Sequence, residues 1–147
     1  MTHEYFMAEA LRLAREAMAD GDVPVGCIIV KDGEIIGRGR NRREAKADAT
    51  AHAEVEAIRE ACAYLGSWRL QGCTLYVTLE PCPMCAGAII NARVEEVRYG
   101  AREEKSGCCG SVLNLFEERF NHHPRIYQGP LERQCEAVLQ EFFQGLR

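Results

Sequence analysis

The amino-acid sequence predicts an α/β protein with helices on both faces of a central sheet. Four segments place apolar residues at helical spacing, and short β-rich runs alternate with them along the chain. No internal repeat, low-complexity stretch or Pro/Ser-rich linker marks a boundary. Because 47% of the 147 residues are apolar, the chain can bury a proper core, and we expect a single domain over residues 1–147.

The chain is predicted to start with a helix and a hairpin. Thr2 can cap a helix over about residues 3–19, in which apolar positions recur every three or four residues. The β-rich runs 25–30 and 34–40 come next, and Asp32-Gly33 between them supplies the positive φ angles of a tight turn. These two runs are therefore expected to form the hairpin that starts the sheet.

A second helix and a third strand follow. The helix is predicted from an apolar stripe, expected to be buried, that consists of Val55, Ile58, Cys62 and Leu65. Gly66 is the expected stop of this helix. Residues 74–79 are a short β-rich run, so the apolar period changes here from that of a helix to that of a strand.

The second half of the chain continues this alternation. Pro83 suits the first position of a third helix, which Ala86, Ile89 and Ile90 bury on one side, and residues 94–99 form a further strand. A short helical stretch is predicted around residues 113–120, and residues 125–128 are expected to add the last strand. A closing amphipathic helix is predicted from its apolar positions, Cys135, Val138, Leu139 and Phe142.

The cysteines and the charge narrow the classes of function. Eight cysteines are too few for a disulfide scaffold of this length, and the start Met1–Glu4 lacks the basic-then-apolar order of a secretory signal. We therefore expect a cytoplasmic protein without membrane spans, whose thiols stay reduced. The net charge of −4 argues against indiscriminate coating of nucleic acid. One basic stretch, from Arg38 to Lys46, carries five positive charges against one negative. Such a stretch can bind the phosphates of RNA, and it is equally typical of a solvated loop.

A pair of cysteines forms the first candidate site. Cys82 and Cys85 are three residues apart at a helix start, so both thiols point the same way and the helix N-terminus favours their thiolate forms. A strand followed by Cys-x-x-Cys and a helix is equally the local outline of a thioredoxin-type redox site. A structural zinc site is a third interpretation, in which the fourth ligand would come from Cys108, Cys109, His122 or His123.

His52-Ala53-Glu54 favours a catalytic metal over these alternatives, because a redox dithiol needs neither an imidazole nor an acid. His52, Cys82 and Cys85 would supply three ligands to Zn²⁺ and leave the fourth position open for water. Glu54 is expected to lie close to the metal but is not needed as a ligand. It is therefore the candidate residue for proton transfer. Taken alone, His52 could be a capping or core histidine and Glu54 a surface charge. Together with Pro81-Cys82-x-x-Cys85 they give the pattern H-x-E…P-C-x-x-C of zinc-dependent nucleobase deaminases.

Beyond this motif, the sequence resembles the bacterial tRNA-specific adenosine deaminases nearly end to end. The further matching segments are Asp22–Gly26, Asn41, Gly100–Arg102, Lys105, Gly107, Gly110-Ser111, Asn121-His122 and Phe142-Phe143. The resemblance implies a cytidine-deaminase-like fold, with three α/β/α layers around a mixed five-stranded sheet, one Zn²⁺ per chain and a homodimer. It also implies that the wobble adenosine of a tRNA anticodon is splayed into the zinc pocket and converted to inosine.

The resemblance further implies where RNA would bind. Asn41 and the backbone at Ala53 would hold the extruded nucleoside, while flanking nucleotides would contact the final helix and Glu103, Lys105 and Asn121. On that helix, Phe143 lies one step beyond the apolar stripe, where it either widens the core contact or offers a flat surface to an anticodon base. The sequence departs from the family at Glu103, where aspartate is frequent, and at Cys108-Cys109, where small residues are usual.

Three alternative functions share parts of these motifs. A deaminase of a free base or nucleoside, such as guanine, cytosine or cytidine, would use the same zinc and Glu54 without the basic stretch 38–46. An RNA-binding module with a structural zinc would need a fourth protein ligand. A dithiol oxidoreductase would keep its activity after loss of His52.

Overall fold

The computed structural model describes residues 1–146 and confirms the predicted fold class, because helices cover both faces of a mixed five-stranded sheet. Along the chain the elements are α1 (His3–Ala19), β1 (Gly26–Lys31), β2 (Glu34–Arg40), α2 (Ala53–Leu65), β3 (Cys73–Leu79), α3 (Pro83–Asn91), β4 (Glu96–Ala101), the 3-10 helix Leu115–Glu117, β5 (Arg125–Gln128) and α4 (Glu132–Gln144). No helix within this described part of the chain has the length and apolar composition to cross a membrane.

The strands lie in the order β2-β1-β3-β4-β5. β1 pairs antiparallel with both β2 and β3, whereas β3, β4 and β5 run parallel to one another. Asp32 and Gly33 have the positive φ angles expected of the turn between β1 and β2, at 50° and 79°. The predicted hairpin is therefore confirmed.

Alternate residues of the strands enter two separate cores, as a sheet covered on both faces requires. In β1, Cys27 and Ile29 pack with α2 and α3, while Ile28 and Val30 pack with α1 and α4. In α4, Cys135 and Val138 are fully buried, which confirms the centre of the predicted apolar stripe. The cores thus anchor the helices whose first turns carry the candidate site.

The apolar stripe predicted for α2 is wrong in its details. The residues that α2 buries completely are small, Ala53, Ala57 and Ala61, while Val55, Ile58, Cys62 and Leu65 are only partly buried. The cause is Gly37 and Gly39 in β2, where a Cβ atom would collide with the backbone of α2. The helix lies so close to the sheet that only alanines fit between them, and the bulkier side chains are displaced to the flank of the core.

The helical stretch predicted around residues 113–120 is shorter than expected. Only Leu115–Glu117 form a 3-10 helix, and the Asn114 side chain accepts a hydrogen bond from the Phe116 N–H at its start. Phe116 is the buried residue of this helix. The remainder is loop, which leaves Val112 and Leu113 exposed.

Candidate metal centre and active site

The candidate ligands lie at two helix starts. His52 directly precedes α2 and Cys82 directly precedes α3, where Pro83 takes the first helical position. Neither His52 nor Cys82 uses its side chain to cap the helix that follows. The interpretation of His52 as a capping histidine therefore has no support, and both side chains are free to face each other.

The three side chains meet at distances that suit a zinc ion. His52 Nδ1 lies 3.7 Å from Cys82 Sγ and 3.4 Å from Cys85 Sγ, and the three candidate ligand atoms lie within 4.8 Å of one another. In a tetrahedral site with Zn–N near 2.05 Å and Zn–S near 2.3 Å, a nitrogen and a sulfur ligand are about 3.6 Å apart. One imidazole and two thiols at this spacing therefore fit Zn²⁺.

None of the four candidate fourth ligands, Cys108, Cys109, His122 and His123, belongs to this group. Among the described residues, His52, Cys82 and Cys85 form the one group of three or more that could hold a metal. His122 Nε2 bonds to the Val94 carbonyl and His123 Nε2 to the Glu118 carbonyl. The arrangement favours a site with three protein ligands over a structural zinc with four.

Hydrogen bonds among these side chains already stabilise a thiolate. The Cys85 thiol donates to Cys82, and this bond, together with His52, lowers the pKa of Cys82 to about 4. The same bond and its burial raise the pKa of Cys85 well above the ordinary value. A dication held by His52, Cys82 and Cys85 would replace that shared proton and allow both sulfurs to be thiolates.

Glu54 lies beside the metal-binding group in the first turn of α2. Its side chain is 4% exposed, and burial raises its pKa to about 7, although a hydrogen bond within its own residue and the nearby His52 lower it. Such a carboxyl group can both accept and return a proton near neutral pH. Glu54 therefore has the position and the protonation behaviour of a general acid/base.

A cavity of about 310 Å³ opens onto these groups, within the size range of small-molecule sites. His52, Glu54 and Cys82 lie on its wall. The other residues that line it are Val23, Val25, Asn41, Arg43, Ala53, Leu79, Glu80, Glu103, Ser106 and Phe143. Four of the residues proposed to contact substrate are therefore here, namely Asn41, Ala53, Glu103 and Phe143, whereas Lys105 and Asn121 are exposed and do not line this cavity.

Comparisons with known proteins find deaminases similar to this chain. A family model described as MafB19-like deaminase matches residues 1–147. The tRNA-specific adenosine deaminase of Bacillus subtilis (strain 168) is 52% identical over 145 residues, which cover 98% of this chain and 90% of the relative. The chain belongs to the tRNA-specific adenosine deaminase family. The member from Aquifex aeolicus (strain VF5) is 49% identical over 148 residues, with 100% of this chain and 97% of that one covered.

Solved structures extend the likeness of this family member to its fold. A structure from a study of A-to-I editing by tRNA:A34 deaminases at the wobble position is 44% identical, with a TM-score of 0.89 over 93% of this chain and 100% of that one. A guanine deaminase from Bacillus subtilis is 39% identical, with a TM-score of 0.68 over 100% of this chain and 94% of that one. The resemblance seen in the sequence is thereby confirmed.

Asn41 is held rigidly at the wall of the cavity. Its Nδ2 donates to the Val23 carbonyl at 3.1 Å, and its Oδ1 accepts from the Arg43 N–H at 3.1 Å. These bonds fix which way the amide points and leave one N–H and one lone pair for a ligand. The side chain is thus preorganised for a ligand in the cavity.

Two buried carboxylates to which the sequence analysis gave no role hold the loops at either side of the cavity. Asp22 accepts hydrogen bonds from the Glu44 and Ala45 N–H groups at 2.7 and 3.2 Å. Glu80 accepts from backbone groups of residues 103–111. The one signal in the sequence was that each acid stands beside an apolar strand without a basic neighbour.

The basic stretch 38–46 is less positive than its sequence suggests. Arg40 pairs with Glu16 at 2.6 Å and with Asp20 at 2.9 Å. Arg42 and Lys46 both pair with Glu56, at 3.3 and 3.0 Å. Arg43, which is exposed, is the member of the stretch that lines the cavity. Within residues 1–146, Arg38 and Arg43 are the exposed cations of the stretch without an ion pair, and of these two only Arg43 lines the cavity. The charge of the stretch as a whole therefore does not distinguish RNA from a small substrate, and the distinction depends on Arg43.

Proposed function

We propose that this chain hydrolyses adenosine to inosine at the wobble position of a tRNA anticodon, in the cytoplasm, with one Zn²⁺ held by His52, Cys82 and Cys85. The observation that carries the proposal is the fit of these three ligands to zinc beside the buried Glu54, in a chain about half identical to tRNA-specific adenosine deaminases. Two thiolates and a neutral imidazole balance the charge of the ion. When bound, Zn²⁺ supplies Lewis acidity that lowers the pKa of a water molecule to about 7.

Glu54 carries the protons in this reaction. The oxygen of water becomes bonded to C6 of adenine, the bond from C6 to the exocyclic nitrogen breaks, and ammonia leaves. Both protons of the water end on nitrogen, one on the ring and one on the leaving group. Glu54, poised near neutral pH, takes such a proton from the water and returns it to the substrate nitrogen.

The remaining cavity residues orient the base. The Ala53 N–H lies at the start of α2, where backbone donors have no partner within the helix, and can bond to the nucleoside. Asn41 offers its free amide groups to the base edge. Glu103, Lys105 and Asn121 would contact flanking nucleotides, with Glu103 at the cavity itself and the other two on the surface.

A free-base deaminase is the alternative, because a guanine deaminase shares the fold at 39% identity. Two observations favour a polynucleotide. An exposed aromatic ring, Phe143, and an exposed cation, Arg43, lie at the cavity, where stacking and phosphate contacts are useful for RNA. Incubation of the purified protein with anticodon stem-loops, free nucleosides and guanine, with assays for inosine and ammonia, tests the proposal. Turnover of guanine or of free nucleosides alone would refute it.

Phe143→Ala is expected to weaken use of an anticodon stem-loop about five- to a hundredfold, the worth of one stacked base. The ring is 51% exposed and lines the cavity, and it contacts Phe142 edge to face at 5.3 Å between ring centroids. Melting temperature and zinc content should be preserved. The comparison is kcat/KM on a stem-loop and on the smallest substrate that the enzyme accepts.

The neighbouring Phe142→Ala is the matched control for this prediction. Phe142 is partly buried, whereas Phe143 is exposed, so loss of the Phe142 ring should lower the melting temperature instead. Equal losses by Phe143→Ala on both substrates, or a large fall in its stability, would assign Phe143 to the core.

We also propose a homodimer. Large apolar side chains are exposed on α3 and on the segment around the 3-10 helix that contacts it, namely Met84, Val112, Leu113 and Phe120. Exposed apolar side chains on two elements in contact are typical of a subunit interface, and two-fold dimers are the commonest assembly. Light scattering at micromolar concentration should give twice the 16.5 kDa chain mass. A monomeric mass would contradict the dimer.

A further inference from the structure

Glu80 is a buried acid that the reaction itself does not use. It directly follows β3, two residues before the ligand Cys82, and is only 2% exposed. Its Oε1 accepts hydrogen bonds from the Glu103 N–H at 3.0 Å and from the Ser111 hydroxyl. Its Oε2 accepts from the Cys109 and Ser111 N–H groups at 2.7 and 3.1 Å. All four donors belong to one segment, residues 102–111, here called the 102–111 loop.

The 102–111 loop forms one wall of the cavity. It carries Glu103 and Ser106, which line the cavity, and it contains no helix or strand. One turn inside it is closed by the bond from the Gly107 N–H to the Glu103 carbonyl at 2.8 Å, and an isolated bridge joins Cys109 to Asn114. Within the loop, the Glu103 side chain accepts from the Lys105 N–H at 3.0 Å, so the position of Glu103 sets that of the following turn. One further bond, from the Cys108 N–H to the Pro81 carbonyl at 2.9 Å, joins the loop to the segment before α3.

The loop passes directly over the Glu80 carboxylate. A Cβ atom at Gly107 would collide with that carboxyl group and with the Glu103 carbonyl, so glycine is required at the point of closest approach. Three backbone N–H groups and a hydroxyl converge on one side chain, and a carboxylate is the one side chain that accepts all four. The loop conformation therefore depends on a charge that belongs to the strand before it.

Proton transfer by Glu80 does not fit this arrangement. Both of its oxygens are occupied by donors from the loop, and none of the four donors is a metal ligand. Glu54 already lies beside His52 and the cysteines with the properties of an acid/base. What Glu80 can influence is the placement of the cavity wall.

We infer that Glu80 is a positioning residue for polynucleotide substrate: by holding the 102–111 loop, it places Glu103 and Ser106 for the nucleotides that flank the target adenosine. This inference rests on the proposed function. It predicts that loss of the carboxylate weakens substrate binding while the chemical step and the metal centre are retained.

Glu80→Gln tests this inference, because glutamine keeps the size but turns an N–H₂ group toward the loop donors. KM for an anticodon stem-loop should rise about tenfold to a hundredfold, with kcat within about threefold, because the loop binds the substrate equally before and during the reaction. Zinc content should remain at one per chain. Glutamine keeps one accepting oxygen, so amide hydrogen exchange should become at least about tenfold faster at the N–H groups that face its N–H₂ group, which are those of Cys109 and Ser111 or that of Glu103.

Glu104→Gln is the matched control, since Glu104 lies in the same loop, is exposed and undergoes the same change of charge. It should leave KM and exchange unaltered. Loss of zinc in Glu80→Gln, or a fall in kcat with unchanged KM, would overturn the inference in favour of an effect on the metal-binding turn. Unchanged exchange and KM would overturn it directly.

Ser111→Ala provides a milder variant in case Glu80→Gln does not fold, because it removes one donor and leaves three. A smaller rise in KM together with faster exchange in the 102–111 loop supports the inference, and the absence of both overturns it. The exchange comparison needs no substrate. If the unaltered protein failed to deaminate stem-loops, the proposed function would fall, while exchange would still report whether Glu80 holds the loop.

Discussion

Glu54→Ala is expected to bind zinc as the unaltered protein does while deaminase activity falls by about two to four orders of magnitude or more. Glu54 is not among the three ligand atoms that approach one another, so its removal leaves the metal-binding group intact. Its side chain is nevertheless buried against that group, with a pKa raised to about 7 by burial. The loss should therefore appear in kcat, because proton transfer is removed while substrate binding is retained.

Two further variants make this prediction specific. Glu54→Gln preserves the volume of the side chain and removes only the titrating group, so it should lose activity to a similar extent. Glu60→Ala, an exposed acid on the same helix, should keep full activity. The Glu54 variants should be at least as stable as the unaltered protein, because each lacks a carboxyl group that is costly to bury. Near-normal turnover by Glu54→Ala would show that another group moves the protons.

The sequence was sufficient to predict which side chains form the candidate metal-binding group, because each part of the group is local. Cys82 and Cys85 share one helix start, and His52 and Glu54 share another. The meeting of the two starts depends on the fold, since α2 and α3 pack on the same face of the sheet and begin at the same edge. The spacing of residues within each segment does not predict this long-range contact. It was inferred from the complete family motif, which contains both segments.

The burial of α2 could not be predicted from its own periodicity. The bulky residues Val55, Ile58 and Leu65 mark an apolar stripe, yet alanines form the contact with the sheet. The deciding residues, Gly37 and Gly39, belong to another element and act only through the close approach of the two backbones. A pattern confined to one helix contains no information about such a partner.

The buried acids and the paired bases were missed for a related reason. Glu80 accepts hydrogen bonds from N–H groups 23 to 31 residues later in the chain. A backbone N–H donor does not depend on the identity of its side chain, so the sequence does not show which residues supply it. Arg40 pairs with Glu16 of α1 and with Asp20 directly after it, and Arg42 pairs with Glu56 of α2. Counting charges along the loop therefore overstates its positive potential, which is reduced by residues distant in sequence.

Cys82→Ser and Cys85→Ser are each expected to reduce zinc from one per chain to a small fraction and to abolish measurable deamination. A serine hydroxyl stays protonated at neutral pH, so the site loses one of the two thiolates that balance the ion. The spacing of 3.7 and 3.4 Å between the imidazole nitrogen and the two sulfurs leaves no substitute ligand within the group. Metal analysis of the purified variants is the direct measurement.

Thermal unfolding provides an independent measurement of the same assignment. A metal that binds only the folded state stabilises it according to its concentration and affinity, so a chelator should lower the melting temperature of the unaltered protein. The same chelator should leave Cys82→Ser and Cys85→Ser unchanged. Cys62→Ser is the matched control, because Cys62 lies near the far end of α2 with its thiol directed at the Trp68 carbonyl, and it should retain both zinc and the response to chelator. Full zinc occupancy in both ligand variants would refute the assignment of these thiolates.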